Sequence, residues 1–218
     1  MTTSKLTKGP DDVFIAGRRT IKDWRAFRPA FVPGGDAKSW ATAAQDYFEA
    51  RLASRYLTPI DTLQQNDSQR GEGFSIVAVQ CSLIEFLEST IQGKSYRHRR
   101  DGDPQLGQYE YSNSGSIFES FLMNRTPFSG EFVTQPLAHD FYVSVRCGLL
   151  HEARTKNGWL IRAKSGSRII DATGAQKVLY RNDFQRALLE FVAWYKRALT
   201  SDSAVQDAFI RKFDSLCV

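Results

Sequence analysis

Apolar residues recur every three or four positions in six segments of this chain, and this spacing constrains its fold more than any other feature. An α-helix turns once in 3.6 residues, so the spacing gathers apolar side chains on one face that has to be buried. The first segment follows Asp36, a typical N-cap residue, and carries Trp40, Tyr47 and Tyr56 at such positions. Pro59 is expected to end or kink this helix, because proline lacks the amide proton that a helix interior uses.

Five more helices follow from the same pattern. Thr134 is a suitable N-cap for the helix that begins at Pro136, and Asn182 or Asp183 precedes another in the same way. The predicted segments are residues 73–94, 115–125, 136–155, 184–202 and 203–213. Helices of this number and length are expected to pack around a single core.

The hydrophobic period changes near residue 158. Short apolar runs separated by Ser, Gly and Thr turns are typical of strands, and these runs lie at residues 159–161, 169–170 and 178–180. The sequence therefore predicts a mainly α fold, a bundle of about six helices with a small β-hairpin or meander inserted at about residues 158–180, before the last helices.

The chain is expected to divide into an irregular N-terminal arm at residues 1–36 and one helical domain at residues 37–218. Glycine and proline interrupt the arm repeatedly, which predicts little regular structure there. Its apolar residues are expected to lie on the domain; they are Phe14, Ile15, Trp24 and Phe27. Residues 94–114 are rich in Gly, Pro, Ser and charge and predict a long exposed loop.

The composition is that of an ordinary folded protein, with 42% hydrophobic and 24% charged residues, which excludes a disordered or fibrous chain. A net charge of +5 favours a polyanionic partner without identifying one. Three widely spaced cysteines fit a reducing compartment, and no spacing of metal ligands or cofactor motif occurs, so no metal and no cofactor is expected. The chain has no export signal and no run of about 18 apolar residues, which predicts a cytoplasmic protein without membrane contact.

One short stretch, Arg146 to His151, places a permanent cation and an imidazole inside an otherwise apolar helix. An unpaired charge in such surroundings costs several kcal/mol, so Arg146 needs a carboxylate, a carbonyl group or a phosphate. Glu85 and Glu88 on the second predicted helix are the candidate protein partners. The spacing of Arg146 and His151 is weak evidence by itself, because arginine is frequent in this chain.

The surroundings of the pair give it more weight. The segment "FYVSVRCGLLHEARTKNGW" resembles the HEPN (higher eukaryotes and prokaryotes nucleotide-binding) domains, small helical bundles in which an arginine and, four to six residues later, a histidine lie near the end of a late core helix. Arg146 and His151 match with four residues between them, and the strands and amphipathic helix that follow are similar to HEPN branches with a β insertion. The resemblance covers residues 72–200. It departs at Cys147, where the family commonly has a polar residue, often Asn.

The resemblance implies a metal-independent endoribonuclease in which Arg146 and His151 are catalytic, with Cys147, Glu85 and Glu88 as supporting residues. It also implies a homodimer whose two motif helices share one cleft. The RNA backbone would be guided by basic residues, namely Arg154, Lys156, Arg162, Lys164, Arg97, Arg99 and Arg100. Such an enzyme would serve as the toxin of a toxin–antitoxin pair, with an antitoxin protein as partner, or in phage defence.

Other interpretations remain open at the level of sequence. A non-catalytic HEPN-like module that binds RNA or nucleotide, or a dimeric scaffold in which Glu85 or Glu88 holds Arg146, is the main alternative. His98 and His139 have no partner pattern and are expected to be structural or surface residues. Four aromatic residues are expected to pack in the core and not to stack on bases; they are Trp40, Trp159, Trp194 and Tyr195.

Overall fold

Seven helices, seven short strands and four short 3-10 helices form the regular structure of the part of the chain that is described; the 3-10 helices are Pro10–Asp12, Arg28–Ala30, Phe128–Gly130 and Ser215–Cys217. The structure is a computed structural model that describes residues 9–66, 68 and 71–218. The helices are α1 Ile21–Phe27, α2 residues 37–65, α3 Glu72–Ile91, α4 Ser114–Asn124, α5 residues 135–152, α6 Arg181–Ser201 and α7 Ser203–Asp214. The strands are β1 Phe14–Ala16, β2 Arg19–Thr20, β3 Ser95–Tyr96, β4 Glu110–Tyr111, β5 Trp159–Arg162, β6 Ile170–Asp171 and β7 Lys177–Tyr180. With 63% of the described residues helical and 9% in strands, the predicted mainly α fold is confirmed.

Two helices are continuous but irregular. In α2, the π-helical stretches Ala43–Glu49 and Ala53–Leu57 alternate with α-helical turns. Pro59 follows the second stretch and does not end the helix, which runs on to Gln65; the wider π-helical turns before it accommodate the missing amide proton. In α5, the π-helical stretch Tyr142–Cys147 lies in the middle and includes Arg146.

The N-terminal arm has more regular structure than predicted. Strands β1 and β2 pair antiparallel, and α1 begins with a capping box in which the Thr20 backbone N–H donates to Asp23 at 2.7 Å. The side chain of Thr20 in turn accepts from the Asp23 N–H at 3.2 Å, so both free amides at the helix start are satisfied. Trp24 is 1% exposed and donates from Nε1 to Asp214 Oδ1 of α7 at 2.8 Å. The arm therefore contributes to the core through Ile15 and Trp24, as predicted. Phe14 and Phe27 were expected to lie on the domain as well but are 46% and 39% exposed.

The β insertion occupies the predicted place but has a mixed topology. The strand order is β5-β7-β6; β6 and β7 pair antiparallel, whereas β5 and β7 pair parallel with Trp159 opposite Lys177. A parallel pair needs a crossover connection, and residues 163–176, which contain β6, supply it. The insertion is thus a three-stranded sheet and not a simple meander.

Helix α3 passes through the centre of the bundle and packs against α2, α4, α6 and α7. Within the described residues it is the one helix long and apolar enough to cross a membrane by length and composition, with a mean hydropathy of 1.4. The helix reaches this mean hydropathy without a continuous run of about 18 apolar residues, because Gln80, Glu85 and Glu88 interrupt it. However, 61% of that window is buried inside the fold, as in the core helix of a soluble protein.

Aromatic rings fix the position of α5 in the bundle. Phe141 is fully buried, and four other rings have centroids within 6.0 Å of its own. These rings come from α4, from the segment before α5, from β5 and from α6; they are Phe118, Phe132, Trp159 and Phe184. Because rings packed at these distances interlock, the N-terminal half of α5 is held on several sides.

Candidate active site on helix α5

Arg146 lies half buried on α5 and pairs with Glu85 of α3. Its Nη2 atom is 3.3 Å from Glu85 Oε2, and 19% and 20% of the two side chains are exposed. The predicted need of Arg146 for a carboxylate is therefore met by Glu85. Glu88 is not brought to Arg146: it is fully buried and binds Arg125 at 2.8 Å.

Glu85 is the centre of a small polar cluster. Its Oε1 atom accepts hydrogen bonds from Ser114 Oγ at 2.7 Å and from Tyr111 Oη at 3.2 Å, while Oε2 takes Arg146. Burial, followed by the nearby Glu85 carboxylate, raises the pKa of Tyr111, so the phenol stays protonated and donates. The carboxylate is held from three sides, and it holds Arg146 in a fixed position.

The neighbours of Arg146 on its own helix complete its surroundings. Its guanidinium carbon lies 5.4 Å from the centre of the Tyr142 ring, and Nη1 is 4.0 Å from Cys147 Sγ. Burial alone would lower the pKa of Arg146, but Tyr142, Cys147 and Glu85 outweigh it and the pKa is raised. Burial also raises the pKa of Tyr142 to about 12. Arg146 is therefore a permanent cation, and one nitrogen of its guanidinium carries the bond to Glu85.

His151 lies in the last turn of α5, with an exposed side chain. It makes no hydrogen bond or ion pair to any residue that the structure describes. In a regular α-helix five residues rise about 7.5 Å and turn about 140°, and the π-helical stretch that ends at Cys147 does not bring Arg146 and His151 into contact within one copy of the chain. Both lie on α5, Arg146 in its middle and His151 in its last turn, and no hydrogen bond among the described residues joins them.

A second polar cluster holds the motif helix against the β insertion. The Asp140 carboxylate accepts from Trp159 Nε1 at 2.8 Å, from Lys177 Nζ at 2.6 Å and from Ser144 Oγ at 2.7 Å. Burial works against the charge of Asp140, yet these bonds outweigh it and lower its pKa. Asn157 adds a bond to Ser144 Oγ at 2.8 Å. The sheet therefore fixes the rotation of α5 about its axis.

The chain turns back closely on α5 after His151. Ala153 ends the helix with a φ of +53°, in the left-handed region that favours glycine. The returning chain touches Gly148, where a Cβ atom would lie 2.5 Å from the Arg154 carbonyl oxygen. Gly148 is thus required by close backbone contact, which explains the glycine between the two motif residues.

The predicted RNA-guiding residues fall into two groups. Three are already paired: Arg97 binds Glu110 at 2.7 Å, Arg154 lies 3.1 Å from Glu152, and Lys156 pairs with Glu152. Four are exposed and have no side-chain hydrogen bond or ion pair within the described ranges; they are Arg99, Arg100, Arg162 and Lys164. The second group is free to meet a polyanion, whereas the first would have to exchange a partner.

Several residues of the site were not predicted from the sequence. Tyr111 and Ser114 come from the predicted exposed loop and its end, and no local pattern marks them as neighbours of Glu85. The spacing of apolar residues also did not predict the π-helical stretch Tyr142–Cys147 of α5. The described residues contain no group of three or more His, Cys, Asp or Glu side chains placed to hold a metal ion.

Comparison with known proteins adds no relative: no family model, no curated protein and no solved structure matches this chain. The likeness to HEPN domains therefore rests on the residues of α5 and on the helices and strands around them, and it stays a prediction.

Proposed function

We propose that this protein is a cytoplasmic, metal-independent endoribonuclease of the HEPN type. The observation that carries the proposal is the contrast between the two motif residues. Arg146 is anchored through one nitrogen to Glu85, and His151, on the same helix, is exposed and has no polar partner in the described part of the chain. An anchored guanidinium suits the oxygens of a phosphate, and a free imidazole suits proton transfer near neutral pH.

The proposed reaction uses the RNA itself as nucleophile. A histidine removes the proton from a 2′-hydroxyl as its oxygen attacks the adjacent phosphorus, and the bond from phosphorus to the 5′-oxygen breaks. The leaving 5′-oxygen receives a proton from a second acid, while arginine stabilises the charge on the non-bridging oxygens. The products are a 2′,3′-cyclic phosphate and a 5′-hydroxyl end. DNA has no 2′-hydroxyl and is not cut.

A symmetric dimer supplies the groups that one copy lacks. A single chain offers one His151, whereas the reaction moves one proton at the nucleophile and another at the leaving group. Two α5 helices facing each other would provide two histidines and two copies of Arg146 in one cleft. Leu150, next to His151, is 47% exposed and gives this face an apolar contact residue. The free cations Arg162 and Lys164 follow in the β insertion and would bind the RNA backbone.

A nuclease of this kind fits the toxin of a toxin–antitoxin pair or a component of phage defence. In the first case, an antitoxin protein would cover the exposed surface around His151, in the last turn of α5. Cleavage of host RNA after expression of the chain alone would agree with either role.

One observation favours a second function, a non-catalytic RNA-binding module or dimeric scaffold. The charge of Arg146 is already matched by Glu85, and Cys147 stands where HEPN domains commonly carry a polar residue. In this alternative, the ion pair is structural, and the exposed cations bind RNA without cleaving it.

The test is cleavage of a fluorescent single-stranded RNA by the purified full-length chain in the presence of EDTA. We expect the wild type to cut the RNA and leave the matching DNA intact, and His151→Ala to reduce cleavage at least about 100-fold, the usual contribution of a general acid or base. His98→Ala is the matched control, since His98 is also exposed and unpaired among the described residues. If the folded wild type binds RNA but never cuts it, the binding module is the better description. If His151→Ala cuts as well as the wild type, the assignment of His151 is wrong.

A further inference from the structure

A second cleft, separate from the motif face, lies between α6 and the turn that follows α4. It has a volume of about 490 Å³, which lies within the usual range for small-molecule sites. One wall consists of Glu190, Trp194 and Arg197 from α6, and residues 124–127 form the other. The lining is more apolar than polar, and it places an aromatic ring and charges of both signs around one space.

The α6 wall is set by helical spacing. Residues 190, 194 and 197 are four and three positions apart, so their side chains lie along one face of the helix. Trp194 was expected in the core, but it is 42% exposed, which corrects that prediction. Its ring rests against Phe191, with centroids 5.3 Å apart, and Phe191 is itself 2% exposed. The indole is therefore held in place from below and offers an open face for stacking.

Each wall offers an arginine to an anion. The side chain of Arg197 is exposed and forms no ion pair or hydrogen bond with any described residue. Arg125 is fixed from behind: its Nε and Nη2 atoms bind the fully buried Glu88 at 2.8 and 3.0 Å, and Nη1 has no such partner in the described chain. Because Glu88 fixes the guanidinium, its remaining nitrogen is held beside the cleft as a hydrogen-bond donor for an anion.

Glu190 is the acceptor in the cleft. Its carboxylate is 58% exposed and lies 3.9 Å from Arg186, whose guanidinium is bound more closely by Asp183 at 2.9 Å. The Glu190 oxygens are therefore free to accept hydrogen bonds from a ligand. Two parallel hydrogen bonds to one carboxylate require a ligand with two adjacent donors.

We propose that this cleft binds a guanine nucleotide. The base would stack on Trp194, and its adjacent N1–H and N2–H groups would donate to the Glu190 carboxylate, a pairing that adenine, with an acceptor at N1, cannot make. The phosphate would bind Arg197 and Arg125. Aromatic stacking, edge recognition and a phosphate site together define a nucleotide and not a bare anion. The proposal does not depend on the ribonuclease activity.

The experiment is a titration of the full-length protein with guanosine monophosphate, in which isothermal calorimetry and tryptophan fluorescence measure binding. Three of the four tryptophans are buried, so stacking on Trp194 should quench the exposed part of the signal. We expect guanosine monophosphate to bind at least 10-fold more tightly than adenosine monophosphate. Glu190→Gln should abolish this preference, and Arg197→Gln should weaken the nucleotide 10-fold or more while leaving guanosine unchanged.

Controls separate this site from the motif on α5. Trp194→Phe keeps an aromatic face and should retain part of the affinity that Trp194→Ala loses, with both folds checked by circular dichroism. Asp61→Asn, at an exposed carboxylate on α2 outside the cleft, is the matched control, and His151→Ala should bind as the wild type does. A short RNA with one guanine is compared with free guanosine monophosphate, to show whether the site prefers a guanine within RNA or a free nucleotide. A higher affinity for either ligand supports a guanine site. Equal affinity for the two monophosphates, or no binding by the folded wild type at millimolar nucleotide, would overturn the proposal.

Discussion

Arg146 of α5 and Glu85 of α3 form an ion pair with 3.3 Å between Nη2 and Oε2, at a depth where about four fifths of each side chain is covered. The pair links the motif helix to the central helix. The contribution of this ion pair to the free energy of unfolding depends on how well water is excluded, because charges screened by solvent interact weakly. Removing Glu85 would leave a half-buried cation without a partner, which is costly.

A double-mutant cycle measures this pair. We expect Glu85→Gln and Arg146→Met each to lower the free energy of unfolding by about 1–2 kcal/mol, and the double variant to lose less than the sum, with a coupling of about 1 kcal/mol. Urea denaturation gives the values. The pair of Glu119 with His139, which is largely exposed on the histidine side, is the control and should show almost no coupling. Additive losses at positions 85 and 146 would contradict the prediction.

Gly148 should not tolerate a side chain. A Cβ atom there would lie 2.5 Å from the Arg154 carbonyl oxygen, so Gly148→Ala has to displace the backbone of the returning chain and should cost about 1–3 kcal/mol. Gly130→Ala is the matched control, since a Cβ atom at Gly130 meets nothing within 4 Å. Thermal unfolding compares the two variants. A Gly148→Ala protein as stable as the control would show that this contact is looser than described.

Ala153 carries backbone strain that glycine would relieve. Its φ of +53° is unfavourable for any residue with a Cβ atom, so Ala153→Gly should stabilise the protein by about 0.5–1 kcal/mol. The same substitution in an exposed helix interior has the opposite sign: Ala193→Gly on α6 should cost about 1 kcal/mol. Chemical denaturation of both variants checks the prediction, and a loss at both positions would refute it.

The buried Lys212 should make stability depend on pH. Burial, with a further contribution from Arg51, lowers the pKa of Lys212 to about 8, and its Nζ atom donates to the Lys94 carbonyl at 3.0 Å. Below pH 8 the lysine is charged in both states, and its burial destabilises the fold. Between pH 8 and about 10.5 only the unfolded chain keeps the proton, so this penalty shrinks as pH rises.

Lys212→Met is therefore expected to be more stable than the wild type at pH 7, by on the order of 2 kcal/mol. The difference should fall as the pH approaches 10. Comparing the variant with the wild type cancels the titration of other groups. Lys164→Met, at an exposed lysine, is the control and should differ from the wild type equally at every pH. A difference for Lys212→Met that grows with pH would reverse the assigned sign.

The helices could be predicted from the sequence because their spacing is local. On α6 the same spacing also indicates that Trp194 is exposed. Phe191 and Tyr195 belong to the buried face of the helix, whereas Trp194 lies about 100° away from Tyr195 around it. The exposure of Trp194 therefore follows from its position on the helix, although its side chain is apolar. The ion pair of Glu88 on α3 could not be predicted in this way, because its partner Arg125 lies at the end of a different helix, α4. The parallel pairing of β5 with β7 could not be predicted either. Such contacts depend on how whole elements pack.

The hydrogen bond from Trp24 to Asp214 has a consequence for how the chain unfolds. Arg28 binds the same carboxylate at 3.0 Å, and Arg25 donates to the Cys217 carbonyl at 3.1 Å. Helices α1 and α7 are thereby tied together although they stand at opposite ends of the sequence. They should protect their amides from hydrogen exchange as one cooperative unit, so that residue 36 separates two patterns of sequence but not two units of folding.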